Sequence, residues 1–291
     1  DRDFCFREAI RQLNLVFDRC EKDGSGLLYH AYSARPGTPW ANVVTGKSHE
    51  IWSEGLGWYA MILVDVLETI PRDYPGWESV HRQLSRLLAS LALVQDPCSG
   101  LWYQVVDKIH SPGNWHDSSG SAMFLYTFQK AALLGLCGKD EYGEVIRRGC
   151  EGLKTKCLTD PEGNLNVYDA CDGVCVQLDY ETYVRYVKNV NAKEAVAAAL
   201  WAFAAVERTN TDGTANSRMS LSLQTSSMLL VNRSSSGIFI CGRLGWTRVV
   251  ERSSISFSMA DHTSTSFPLT VSIRARAVSY THLRAHETRS N

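Results

Sequence analysis

Two acidic residues occupy matching places in this chain. Glu54 lies in Trp52-Ser-Glu-Gly-Leu-Gly57-Trp58, and Asp117 in Trp115-His-Asp-Ser-Ser-Gly120. With Gly57 set on Gly120, Glu54 falls on Asp117 and Trp52 on Trp115. Each carboxylate stands just ahead of a long apolar stretch with helical character. At such a position a carboxylate caps the helix, complements its dipole or exchanges protons. A short aromatic segment precedes each copy: Gly26-Leu-Leu-Tyr-His30 before the first, Gly100-Leu-Trp-Tyr-Gln104 before the second. The loop from His30 to Trp52 is about eleven residues longer than its counterpart. It carries Arg35 and Lys47, and an insertion on a site-facing rim is a source of specificity.

The elements that must position these residues are helices. An apolar stripe of Phe6, Ile10, Leu13 and Phe17 predicts a helix over 6–20, ended by Asp23-Gly-Ser-Gly26. Further helices are expected over 56–70, stopped by Pro71, and over 77–94, 118–134, 142–157 and 192–207. Asn191 and Glu194 open the last of these and read mainly as caps. Convincing alternating strands are absent, so 1–208 reads as an all-α domain. Repeated helical pairs bury their faces against their neighbours. The polar cluster at each helix start then gathers on one rim.

Bulk properties narrow the classes. The 291 residues carry a formal net charge of -1, which gives no global field. No apolar run reaches the length of a membrane span. The nine cysteines are scattered, without a CxxC pair, and are expected to be buried, reduced thiols of a cytosolic protein. There is no Gly-rich phosphate loop, no metal-spaced His/Asp cluster and no basic-aromatic stripe. Neither a cofactor nor a nucleic-acid partner is inferred, and no membrane.

Past about residue 208 the character changes. No lysine follows Lys193, serines become dense and helical periodicity stops. Met228–Val231 and Gly237–Cys241 have the look of strands in a small β appendage. The preferred reading of 209–291 is a non-native or disordered tail. Its final Ser279-Tyr-Thr-His-Leu-Arg-Ala-His-Glu-Thr288 resembles translated adapter sequence. Its histidines and arginines are left out of any site.

At His30, Trp52–Trp58 and Asn114–Met123 the chain resembles the unsaturated rhamnogalacturonyl hydrolases, glycoside hydrolase family 105, and the related unsaturated glucuronyl hydrolases of family 88. Support comes from Tyr59-Ala-Met-Ile-Leu-Val-Asp-Val-Leu-Glu68, Gln95-Asp96, Gly100–Asp107 and Asn191-Ala-Lys-Glu-Ala-Val196. The resemblance covers about 4–207. It implies an (α/α)6 barrel of six hairpins around a central pocket, here incomplete and lacking its N-terminal hairpins. It also implies hydration of the C4=C5 double bond that lyases leave on a terminal uronic acid, whereupon the product opens and releases the next sugar. The family's aspartate for this step has no counterpart here and is expected upstream of residue 1. Glu54 and Asp117 remain as acidic candidates within the chain.

By the same resemblance His30 takes the place of the active-site histidine, and the Ser118–Ser121 segment lies near the pocket. Trp52, Trp58 and Trp115 offer indole faces on which sugar C–H surfaces stack. Many relatives carry arginine where Glu54 stands, to pair with the uronate carboxylate. A glutamate anion cannot do that, so charge recognition must come from elsewhere or the substrate must differ. The expected partner is an unsaturated uronyl oligosaccharide. The parent enzyme is expected to be cytoplasmic and a monomer or weak dimer. Two other readings are an inactive half-barrel that at most binds sugar and a different carbohydrate-active enzyme on the same scaffold.

Overall fold

Helix α1 (Arg2–Cys20) starts where Asp1 accepts a hydrogen bond from the Phe4 amide, and it buries Ile10, Leu13, Phe17 and Cys20. That is the expected stripe moved on by one turn, with Phe6 only half-buried. The computed structural model describes residues 1–138 and 140–212, together with 230–234, 237–242 and 245–249. Helices α2 (Ser53–Thr69), α3 (Trp77–Leu93), α4 (Ser118–Leu133), α5 (Gly143–Lys154), α6 (Tyr180–Val184) and α7 (Lys193–Asp212) follow. α2 ends at Ile70, ahead of Pro71, as a proline imposes.

The helices alternate between two layers. α1, α3 and α5 each bury one stripe and keep a charged face outward. α2 and α4 are buried on most sides, and α4 packs between α2 and α7. α1 in turn packs on α3. The order is therefore outer–inner, three times over: α1–α2, α3–α4 and α5–α7. Three such hairpins form an arc of an (α/α) toroid, with α2, α4 and α7 as its inner wall.

Glycine explains why the two sequence copies superpose. A Cβ on Gly57 would lie 2.7 Å from Met123 Sδ, and one on Gly120 would lie 2.8 Å from the Ser53 carbonyl carbon. Each glycine admits the other helix at the same crossing. Gly26 and Gly100, which open the aromatic segments, have φ of 84° and 72°. Their Cα atoms press on the backbone of Arg86 in α3 and Arg148 in α5, one repeat further on. Only a residue without a Cβ meets both demands at little cost.

Extended segments join the layers at one end. Val106 N donates to Ile51 O and Ser53 N to Gln104 O. Gln104 N donates to Trp115 O, Asp117 N to Trp102 O and Ser118 N to Asp169 O. Isolated bridges pair Trp52 with Val105 and Tyr103 with His116. These are single bridges rather than ladders, and strand periodicity is therefore missing from the sequence.

Three expectations need correction. The fifth helix stops at Lys154, and Cys157 instead begins β1 (Cys157–Thr159), paired antiparallel with β2 (Leu165–Val167). The short α6 had no periodic signal. The eight described cysteines are all free, but Cys5, Cys98 and Cys175 are exposed rather than buried. Residues 218–291 fall in a second unit. Its described part is an antiparallel sheet of β3 (Leu230–Ser234), β4 (Gly237–Gly242) and β5 (Gly245–Val249), close to the strand segments noted above. Residues 209–212, expected in the tail, instead continue α7, and the rest of the expected tail lies outside the described residues.

The crossing glycine is open to test. Gly120→Ala should cost about 1–3 kcal/mol by overpacking against Ser53. Gly143→Ala, where no atom lies within 4 Å, should be neutral or mildly stabilising. Urea midpoints of the two variants check this, and equal midpoints would remove the crossing as a constraint.

Candidate active site

The α2–α4 crossing brings the two acidic residues together. Asp117 is the N-cap of α4, and its carboxylate accepts hydrogen bonds from the amides of Ser119 (3.2 Å) and Gly120 (3.0 Å). It also accepts from Ser53 Oγ (2.6 Å) and the Cys171 amide (3.0 Å). Each of these bonds is directed at the Asp117 side chain, which is fully buried. Ser119 Oγ lies 2.8 Å from Asp117 Oδ2 and 3.0 Å from Glu54 Oε2. A hydroxyl has a single proton to give. When Ser119 gives it to Asp117, the remaining contact is completed by a proton on Glu54. The relay then runs from Glu54 O–H through Ser119 O–H to the Asp117 carboxylate.

Electrostatics point the same way. Burial pushes the Glu54 carboxyl up to about 8, and the charges of Asp117 and Glu194 add to it. Hydrogen bonds from Ser119 and the Trp58 indole oppose the shift without cancelling it. Glu194 opens α7 much as Glu54 opens α2, so all three inner helices begin with an acidic residue at the same rim. Among the described residues no lysine or arginine bonds to Glu54 or Asp117, whereas Glu194 is 3.5 Å from Lys193.

His30 stands over the start of α2. Its ring is 4.5 Å from that of Trp52, and its Cδ2 would lie 3.4 Å from a Cβ on Gly55. Nδ1 is 2.6 Å from Tyr183 Oη. Burial lowers the imidazole to about 4, leaving it neutral near pH 7. Trp52 and Trp115 share a buried cluster with Val105, Cys171, Val174 and Tyr183. Lys188 Nζ lies 5.3 Å above the Trp115 ring.

His30, Trp52, Glu54, Trp58 and Asp117 are thus drawn to the start of α2. Trp58 is partly exposed, and Trp115 and Ser118 are buried beside the group. Trp52 Nε1, Trp115 Nε1, Gln104 Oε1, Ser118 Oγ and Glu194 Oε2 are buried without a hydrogen-bond partner among the described residues. Lys47 is used differently, its amine bonding the Glu21 carbonyl and so tying the long loop to the end of α1. Arg35 is exposed on that loop. The loop borders open hollows of about 180 and 220 Å³, and neither is lined by the acidic group.

Sequence reasoning missed Ser53, Gln104, Cys171 and Tyr183. Ser53 and Gln104 lie inside noted motifs without having been singled out, whereas nothing in the sequence ties Tyr183 to His30. No group of three or more His, Cys, Asp or Glu among the described residues is arranged to hold a metal ion. No described helix is long and apolar enough to cross a membrane.

Paired helices in an arc, with acidic helix starts along one rim, define a helical-toroid scaffold of the glycoside hydrolase type. The chain belongs to Glycosyl Hydrolase Family 88, whose sequence pattern matches residues 2–210. It is 35% identical over 160 residues to Protein Atu3128 of Agrobacterium fabrum, covering 54% of this chain and 67% of that one. The same figures hold for the 24.9 kDa protein in picA locus of Rhizobium radiobacter. Among solved structures it is similar to a family 105 glycoside hydrolase of C. acetobutylicum, with a TM-score of 0.66 and 27% identity. That match covers 68% of this chain and 57% of the other. A possible family 105 member from Salmonella enterica has a TM-score of 0.60 at 23% identity, over 70% of this chain and 50% of that one, and shares the fold. The chain therefore spans little more than half the length of these solved structures.

Glu54 and His30 should set the pH dependence of stability in opposite directions. Folded Glu54 keeps its proton to about pH 8, while an unfolded glutamate loses it near 4.5, so its contribution falls as pH rises through that window. Folded His30 refuses a proton until about pH 4 whereas the unfolded side chain accepts one near 6.5, so stability also falls as pH drops between those values. Glu54→Gln should therefore be more stable than the parent at pH 8 by a few kcal/mol, at about 1.4 kcal/mol per tenfold displacement. The two should converge near pH 4.5. Urea unfolding at pH 5, 6.5 and 8 checks this, and an unchanged alkaline decline would mean that Glu54 is ionised at neutral pH.

Proposed function

We propose that the parent protein is an unsaturated uronyl hydrolase, releasing unsaturated galacturonic acid from pectin-derived rhamnogalacturonan oligosaccharides. The reading is carried by the Glu54 carboxyl, buried in the first turn of α2 and raised to about 8, with His30 packed on Trp52 at the same helix start. An acid that retains its proton at neutral pH suits protonation of an alkene carbon. In this scheme Glu54 gives its proton to C4 while water adds its oxygen to C5. The water proton returns to the carboxylate, and the resulting hemiketal opens and frees the neighbouring sugar. Asp117, whose nearness raises Glu54, would favour return of that water proton to Glu54. The indoles of Trp52 and Trp58 would stack on the sugar, and Lys188 over Trp115 would supply a positive charge for the uronate. We propose with it a cytoplasmic enzyme, a monomer or weak dimer.

A second reading is favoured by a different observation. Trp58 and Ile62 on α2, and Leu200 on α7, are large apolar side chains left exposed on the inner helices. A chain of this span would on that account bind sugar without turning it over, the rest of the wall being required for catalysis.

The test is to incubate the chain with an unsaturated galacturonyl-rhamnose disaccharide, alone and complemented by the N-terminal hairpins of a full-length relative. Loss of the ultraviolet absorbance of the conjugated double bond is expected with the complemented chain. Glu54→Gln should slow it by at least about 100-fold, the usual weight of a general acid. A folded, complemented chain that leaves the disaccharide intact would sink the hydrolase reading. Full activity in the glutamine variant would remove Glu54 from the chemistry.

A further inference from the structure

Tyr183 belongs to none of the motifs described above, yet it is fully buried and its hydroxyl is within 2.6 Å of His30 Nδ1. It lies on α6, whose start is fixed by Asp179 accepting from the amide and hydroxyl of Thr182. The phenol oxygen also accepts a hydrogen bond from the Gln177 amide at 3.2 Å. That leaves its proton free to point at the imidazole. His30 is fixed on three further sides. Its own amide donates to Glu50 O, its ring packs on Trp52, and Gly55 gives it room above α2.

We propose that Tyr183 is a positioning residue for His30. It donates its hydroxyl proton to Nδ1, which fixes the neutral imidazole with its proton on Nε2. His30 is thereby committed to giving a hydrogen bond from Nε2 and cannot serve as a base through Nδ1. The sugar atom it meets must then be an acceptor, either a carboxylate or a hydroxyl oxygen. Two observations agree with this: burial raises the Tyr183 phenol to about 12, and burial lowers His30 to about 4. Each partner therefore stays in the protonation state that the contact needs across neutral pH. Among the described residues no group bonds to His30 Nε2, which leaves that donor for a ligand. The tautomer assignment stands on geometry alone, and the role toward sugar rests on the hydrolase reading given above.

The experiment uses the chain labelled with 15N-histidine, with His30 assigned by its absence in His30→Gln. At pH 7 the unsubstituted protein should show a protonated Nε2 and an unprotonated, hydrogen-bonded Nδ1. In Tyr183→Phe, Nδ1 should move toward the position of a nitrogen without a donor, or the ring should become a mixture of tautomers. A proton on Nδ1 in the unsubstituted protein overturns the proposal without any variant, and so does an unchanged His30 spectrum in a folded Tyr183→Phe protein. In the complemented chain, KM for the unsaturated disaccharide should rise about tenfold in Tyr183→Phe with a smaller change in kcat, as loss of one oriented hydrogen bond implies. An unchanged KM alongside an altered spectrum overturns the positioning role. No turnover by any form would sink the hydrolase reading, while the spectrum would still decide the tautomer.

Discussion

A side chain on Gly57 or Gly120 would stand inside the neighbouring helix, and the acidic rim exists because neither position has one. Close approach of α2 and α4 is what allows Ser53 Oγ to reach Asp117 and Ser119 Oγ to reach Glu54. Those two serines convert a helix crossing into a proton-sharing contact between carboxyls. The same crossing excludes water from Glu54, and loss of solvation contributes most to holding its proton. Packing and acid–base behaviour therefore have one cause.

The helices were readable because their signals are local. The stripe in α1, the proline after α2 and the glycine-led repeats all lie within a few turns of what they specify. The acidic pair was readable for the same reason, since a carboxylate two residues after a tryptophan and three before a glycine recurs almost unchanged. Ser119 was visible only as one of a serine cluster, because its value lies in a hydroxyl that faces two carboxyls at once. Tyr183 meets His30 across 153 positions, and nothing in the short α6 around it marks the contact. The β1–β2 hairpin was hidden because its strands are only three residues each, too short to show an alternating pattern.

The sequence also set a puzzle in Glu54, an acid where the family resemblance implies an arginine. The structure changes its terms. A carboxyl that remains neutral at pH 7 is a hydrogen-bond donor, so it need not repel an anionic sugar. Asp117 differs from its repeat partner because three amides and two hydroxyls converge on it, whereas Glu54 meets the Ser119 hydroxyl, shared with Asp117, and the Trp58 indole. Two carboxyls in equivalent places thus have different surroundings, and those of Glu54 raise its carboxyl.

The glycines that open the aromatic segments carry a consequence for how the arc holds together. Gly26 docks on α3 and Gly100 on α5, so each repeat is latched to the one that follows it. Such an array behaves as a one-dimensional chain of coupled units, in which order spreads from neighbour to neighbour. Its cooperativity has a direction: a repeat leaving a ribosome finds its latch only when the next outer helix emerges. Protection against hydrogen exchange would accordingly be graded along the arc, greatest at the middle hairpin, where α3 and α4 are clasped from both sides.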